Sequence, residues 1–274
     1  MSVLERFLAD THDRHPGVTS DAMARLPVRM AGASHASTYA LLADAVPGGP
    51  APLAVLDLAC GDGALLSLLA VREQPGLTLH GLDFSAGELA AAARRLGGRA
   101  RLVRSRAQRL PYADASFDLV LSHMALMLME DADQVLAELR RVLRPGGVVA
   151  ALVAAPAPAS AVQQVFIDTL RSTETATAWP GLRFPGRAWR DEDGIRGLFS
   201  GFADLRIAQV AADLACDPET AWGWYGGVYE LLMMPPAERA GFEQRFRDAV
   251  AALVADGQAA TLPLHFRRVT ARRA

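Results

Sequence analysis

The segment Ala54-Val55-Leu56-Asp57-Leu58-Ala59-Cys60-Gly61-Asp62-Gly63-Ala64-Leu65-Leu66 constrains the fold more than any other part of the chain. A short apolar run reaches an acid, two glycines follow a residue apart, and an Ala/Leu-rich run at helical spacing comes next. The stretch therefore reads as strand, tight turn and helix. Gly61 and Gly63 have no Cβ and let a ligand approach the main chain. The helix beginning near Gly63 offers unpaired N–H groups and the positive end of its dipole. Asp57, at the carboxyl end of the strand, is placed to hold an ammonium group or to brace the loop. A second strand, Leu77 to Asp83, ends in an acid about twenty residues past the glycines, the spacing that brings a carboxylate to a ribose diol in a doubly wound sheet. Both features fit an adenosine cofactor. The dinucleotide fingerprint G-x-G-x-x-G also needs a third glycine for close helix packing, and Leu66 stands there, which disfavours a nicotinamide dehydrogenase.

From Leu53 onward the pattern alternates. Strands are expected over 53–58, 77–83, 100–105, 117–122 and 147–154, with helices over 63–72, 85–97 and 131–144. Near-continuous apolar strands alternating with helices indicate a parallel sheet covered on both faces. Right-handed connections then place ligands above the carboxyl ends of the strands, at the switch point beside the first of them. Upstream, residues 2–13 and 38–46 read as helices. Downstream, 160–175, 219–234 and 237–256 do, the last stopped by Gly257.

With 274 residues, 51% of them apolar, the chain can bury a large core in one domain with a helical cap. A net charge of -2 argues against a general polyanion binder, so no nucleic-acid partner is expected. All 28 basic residues are arginine, which excludes a Schiff-base or P-loop lysine. Cys60 and Cys216 fit no metal or redox spacing and predict reduced thiols in a cytoplasmic protein. The acidic N-terminal residues do not read as a signal peptide, and the longest apolar run, Val148 to Ala155, is too short to span a bilayer.

Four motifs then occur in order: Val55-Leu56-Asp57-Leu58-Ala59-Cys60-Gly61-Asp62-Gly63, Gly81-Leu82-Asp83-Phe84-Ser85, Leu110-Pro111-Tyr112-Ala113-Asp114-Ala115-Ser116-Phe117-Asp118-Leu119-Val120 and Leu143-Arg144-Pro145-Gly146-Gly147. Together they resemble a class I S-adenosylmethionine-dependent methyltransferase of the bacterial small-molecule type, related to the ubiquinone and menaquinone C-methyltransferases. The resemblance is tight over residues 35–155. It implies an α/β fold with a doubly wound, mostly parallel, seven-stranded Rossmann-like sheet, N-terminal helices and a helical lid. A closing antiparallel pair is expected at 203–212 and 261–271. The implied layout is an N-terminal cap over 1–50, a cofactor core over 51–155, and lid helices with closing strands over 156–274, in one continuous domain. S-adenosylmethionine is the implied cofactor. Asp57, Ala59, Gly61 and Gly63 would hold its methionyl part, Asp83 its ribose, and Phe84, Ala107 and Gln108 its adenine. Arg106 stands where relatives often carry an adenine-accepting Asp, and an Arg cannot accept a hydrogen bond. An N-terminal segment commonly folds over the pocket in such proteins, which makes Arg29, Tyr39, His12, His15 and His35 candidates. Tyr39 resembles a cofactor-contacting aromatic.

The fourth core strand ends at Ser122-His123, where the transferable methyl should lie. Methyl transfer from a sulfonium is an in-line displacement helped mainly by alignment in a dry pocket. His123 has the one near-neutral reference pKa at this strand end, so it is the candidate general base, with a packing histidine as the alternative. Ser122 is a candidate cofactor contact. Ser122-His123-Met124-Ala125 lacks the Asn/Asp-Pro-Pro-aromatic pattern of base-amine methylation, and no acid cluster suggests a metal. Trp179, Trp222, Tyr225 and Tyr229 are candidate substrate contacts, with ordinary helix-face packing as the alternative. The expected reaction is methyl transfer to an oxygen or nitrogen, rather than carbon, of a small and largely apolar metabolite. A methyltransferase-fold cyclase is the rival, and the oligomeric state, homodimer included, is left open.

Overall fold

A computed structural model describes residues 1–175, 184–256 and 260–274. Their strands form one nine-stranded sheet in the order β2-β1-β8-β9-β7-β6-β3-β4-β5. The strands are β1 (Val28–Met30), β2 (Ala33–His35), β3 (Leu53–Leu58), β4 (Leu77–Asp83), β5 (Arg101–Arg104), β6 (Phe117–His123), β7 (Leu143–Ala155), β8 (Ala203–Ala215) and β9 (Thr261–Arg272). From β7 to β5 every pairing is parallel, as the apolar alternation predicts. β9 then runs antiparallel to β7, so the expected closing pair is present at almost the expected bounds.

The count of nine corrects the expected seven. The two extra strands form a hairpin, β1 against β2, whose members are three residues each. So short a strand carries too little alternation for periodicity to register. The helices of the first half are α1 (Val3–Arg14), α2 (Val18–Met23), α3 (Thr38–Ala43), α4 (Ala64–Ala70), α5 (Ala86–Leu96) and α6 (Ala132–Val142). α1 begins with a capping box in which the Ser2 hydroxyl accepts from Glu5 N–H and the Glu5 carboxylate from Ser2 N–H. α2, six residues long, is too short for the sequence pattern to reveal. The expected 219–234 helix is two, Pro218–Tyr225 and Tyr229–Leu232, parted at Gly226-Gly227.

The described residues gather into two compact units. The first comprises 1–156, 184–210 and 265–274 and holds the parallel strands. The second comprises 157–183 and 211–264, in part described, and is built largely of helices. In this helical unit Phe166 stacks on Tyr225 at 4.1 Å between ring centroids, and Phe242 and Phe246 close the cluster.

In the first unit the sheet registers separate two faces, because successive side chains of a strand point to opposite sides. One face carries Leu56, Leu58, Val120, Val149, Ala151 and Val269 into a core shared with α6. The other carries Asp57, level with Leu121 and Gly81, and then the row His123, Leu152, Arg268 across β6, β7 and β9. Leu66 also finds its explanation here. A Cβ on Gly81 of β4 would lie 2.8 Å from Leu66 Cδ1, so the glycine that the fingerprint lacks on the helix is present on the facing strand.

Candidate functional site

The chain turns sharply at the end of β3. Ala59, Gly61 and Gly63 all have positive φ, 58°, 51° and 79°. Ala59 is the exception among them, since a side chain in this region costs on the order of 1 kcal/mol, a strain that persists where the surroundings over-determine it. Gly61 N–H donates to Asp83 Oδ2 at 2.9 Å, and Ser85 N–H donates to Asp83 Oδ1 at 2.9 Å. Burial raises the Asp83 pKa, and these two bonds with the nearby His12 pull it back. Each oxygen keeps a lone pair for a diol. Gly63 is also a packing position. A Cβ there would lie 3.0 Å from Leu96 and 3.2 Å from Ala92, so its bareness admits the close approach of α5.

Asp57 is 1% exposed, and neither carboxylate oxygen has a hydrogen-bond partner. Burial, then the charges of Asp83 and Asp62, push its pKa well above the usual carboxylate range. A buried carboxylate without donors is costly. It is the group in this site that lacks a cation.

His123 is the last residue of β6, and the chain leaves through Met124 at φ 54°. Its Nε2 lies 3.0 Å from Thr38 Oγ1, and the Thr38 hydroxyl donates to Met23 O at 3.3 Å. Since that hydroxyl has one proton, both bonds are satisfied only if Nε2–H donates to Thr38. The tautomer is then fixed and Nδ1 carries a lone pair, buried and unpartnered. Burial lowers the His123 pKa to about 3, so the ring is neutral. So weak a base serves as a hydrogen-bond acceptor before it serves as a proton sink. Tyr39, the expected cofactor aromatic, stacks on the ring at 3.8 Å between centroids and 17° between planes.

The N-terminal segment is fastened to the cofactor loop by ionic and polar contacts. Glu88 of α5 takes His12 Nδ1 on Oε1 at 2.8 Å and Gly17 N–H on Oε2 at 2.9 Å. Asp13 Oδ1 accepts from Ser85 Oγ at 2.6 Å and Gly87 N–H at 2.8 Å. Ser20 Oγ donates to Asp62 Oδ2 at 2.6 Å, and Arg95 pairs with the same oxygen. At the far end Glu5 Oε1 receives Arg106 Nε at 3.0 Å and Gln108 Nε2 at 3.3 Å. An acid from α1 thus lies beside Arg106. The Gln108 amide donates inward, to Glu5 and to Glu130 O, beside the buried Ala107 and the half-buried Phe84. No sequence periodicity could have identified Thr38, Glu88 or Glu5, whose roles come from contacts far along the chain.

Ser122 does not join Asp57 and His123: its row, with Ala151 and Val269, belongs to the opposite face, and its buried hydroxyl has no partner. Tyr225 is packed against Phe166 in the core of the helical unit. Trp222 lies beside Phe242 and Phe246, with the guanidinium carbons of Arg239 and Arg247 each 5.8 Å from its ring. These aromatics cluster because they bury each other, which gives the same helical spacing as a pocket wall. Tyr229 is half-buried in its short helix, and Trp179 lies outside the described residues. Among the described residues no cluster of His, Cys, Asp or Glu could hold a metal, and no helix is long and apolar enough to cross a membrane.

The family model "Methyltransferase domain" matches residues 56–151, so this part of the chain is a methyltransferase domain, of the kind whose methyl donor is S-adenosylmethionine. The chain is 41% identical over 102 residues to the demethylmenaquinone methyltransferase of Lactobacillus johnsonii, covering 35% of this chain and 42% of that one. It is 37% identical over 169 residues to the ubiquinone/menaquinone biosynthesis C-methyltransferase UbiE of Desulfotalea psychrophila, covering 61% and 65%. The chain thus spans less than two thirds of either relative. Among solved structures the [4+2]-cyclase SpnF has the same fold, with a TM-score of 0.56 at 20% identity over 97% of this chain and 95% of that one.

Proposed function

We propose that this chain transfers the methyl group of S-adenosylmethionine to an oxygen or nitrogen, rather than a carbon, of a small and largely apolar metabolite, as a natural-product tailoring enzyme. One observation carries the proposal. At the carboxyl ends of β3 and β6, on one face of the sheet, stand a buried carboxylate without a donor and a neutral histidine with a free lone pair.

The cofactor brings an ammonium, a ribose diol and a methyl on a positive sulfur. Asp57 would accept the ammonium, which satisfies both the carboxylate's charge and its hydrogen bonding. Asp83, with one N–H already on each oxygen, would accept the diol. The Ala59–Gly63 turn would face the methionyl part, and Phe84, Ala107 and Gln108 would border the adenine. His123 Nδ1 would accept from the O–H or N–H of the acceptor and so turn the acceptor atom's own lone pair toward the methyl. Attack forms the new bond as the carbon–sulfur bond breaks, giving S-adenosylhomocysteine, and the acceptor's proton leaves by way of Nδ1 or directly to water. Thr38 would keep the imidazole in the tautomer that leaves Nδ1 free.

The buried atoms of Asp57 and His123 are closed to solvent. Electrostatics in a dry site are strong, and alignment supplies most of the acceleration of an in-line displacement.

The fold match to a cyclase over nearly the whole chain favours one second reading, in which the same cavity shapes a cyclisation without methyl transfer. Incubation with methyl-labelled S-adenosylmethionine and a panel of hydroxylated and aminated apolar acceptors separates the two. The expected product gains a labelled methyl group. An unlabelled isomer of the acceptor, formed in stoichiometric amount, would replace this proposal with the second reading.

A further inference from the structure

Two neighbouring arginines of β9 meet opposite fates. Arg267, on the core face, is buried, and its guanidinium donates to Trp189 O at 3.3 Å and Arg190 O at 3.0 Å. Arg268 faces the other way, in the row with Leu152 and His123. It is half-buried, and among the described residues its guanidinium has neither a hydrogen bond nor a salt bridge. The nearest acid to influence it, Asp44 at the end of α3, is engaged by His35 Nδ1 at 2.9 Å. α3 carries Thr38, the partner of His123, and Asp44 follows its last residue, so this short helix runs along the row from the histidine toward the arginine.

An arginine placed on a strand, half withdrawn from water and left without an acceptor, has five donors for a planar oxyanion. Two strand spacings, roughly 10 Å, separate it from His123. Burial pulls its pKa below the ordinary guanidinium value, the direction expected of a cation short of partners.

We infer that Arg268 is a specificity residue that selects an acceptor carrying an oxyanion, a carboxylate or a phosphate, on an otherwise apolar body. The inference rests on the reading of the β6 end as the acceptor site. It adds that the acceptor is anionic, with its charged group about two strands from the atom to be methylated. A neutral acceptor would leave the guanidinium without its charge-assisted bonds.

The test is direct binding to the full chain, with and without S-adenosylhomocysteine, of three probes that share one apolar tail: octanoate, octyl phosphate and octanol. Calorimetric titration should give at least one of the two anions about tenfold or more tighter binding than the alcohol. The tighter anion identifies the group. Arg268→Gln should bring that anion level with octanol while S-adenosylhomocysteine affinity stays as in the unaltered protein. Arg268→Lys, which keeps the charge without the fork, should retain part of the preference and covers the case in which the glutamine variant does not fold. Equal affinity for all three probes, no binding of either anion, or a preference that survives Arg268→Gln overturns the inference. If S-adenosylhomocysteine does not bind at all, the methyl-transfer reading fails instead, and the anion preference measured without it still decides the role of Arg268.

Discussion

Glu88 and Asp57 are almost equally buried, at 3% and 1% exposed, yet the chain treats them oppositely. Both oxygens of Glu88 are occupied, by His12 and by Gly17 N–H, and they hold the N-terminal segment down. Neither oxygen of Asp57 is. Buried polar groups in folded proteins are almost always paired, so a fully satisfied carboxylate reads as structure and an unsatisfied one reads as a place for a donor from outside the chain. The same contrast holds for the histidines. His12 is bonded to Glu88, whereas His123 has one nitrogen held by Thr38 and the other left open.

The largest expected effect is at Asp57. Asp57→Asn should lower S-adenosylhomocysteine affinity by about 2–5 kcal/mol, because the ammonium loses its counter-charge, and should raise the melting temperature of the ligand-free protein. The sign of the pH effect follows from the raised pKa. The group's contribution to stability is present below the unfolded value of 3.8 and is lost as pH rises through the folded pKa. Cofactor affinity should do the reverse, strengthening as pH passes that folded pKa, with release of a proton. Calorimetry in buffers of different ionisation enthalpy reads that proton, and a pH-independent affinity would end the contrast with Glu88.

His123→Ala should reduce turnover on the order of 10²-fold and leave S-adenosylhomocysteine affinity unchanged. Because the folded pKa lies near 3, below the unfolded 6.5, the histidine contributes stability above pH 6.5 that is lost as pH falls toward 3. The rate profile should show no limb near 6.5 from this residue. Unchanged turnover in the alanine variant would move His123 to the structural side.

Glu88→Gln should cost roughly 1–3 kcal/mol of stability and speed proteolysis within residues 1–26, read by thermal denaturation and limited digestion. If it instead abolished turnover with the fold intact, Glu88 would belong with Asp57. The smallest effect should be that of Trp222→Leu, about 1 kcal/mol in stability from its lost contacts with Arg239 and Arg247, with KM unchanged. A raised KM would return this tryptophan to the substrate.

Much of the fold was legible because long parallel strands and their helices carry strong periodicity. β3, β4, β6 and the closing pair stand within a few residues of their expected bounds. The three-residue strands and α2 were not, since so few residues cannot express a period. In the candidate site, the strand-end positions of Asp57, Asp83 and His123 were legible, each being a polar residue at or near the end of an apolar strand. The face of Ser122 was not legible beside that of His123, because adjacent strand residues face opposite sides and sequence proximity does not say which side packs on which helix. The aromatics of the helical unit could not be divided between core and pocket wall, because helical spacing is the same for both.

The sequence by itself determined the strand–turn–helix at residues 54–66, the acid at the end of the next strand, and the alternation that makes a parallel sheet, since all of these depend on local spacing. The tertiary structure alone decided that Glu5 pairs with Arg106, that Thr38 sets the tautomer of His123, and that Arg268 shares its row. These depend on which distant segments the core brings together, and on whether a buried polar atom finds a partner once they meet.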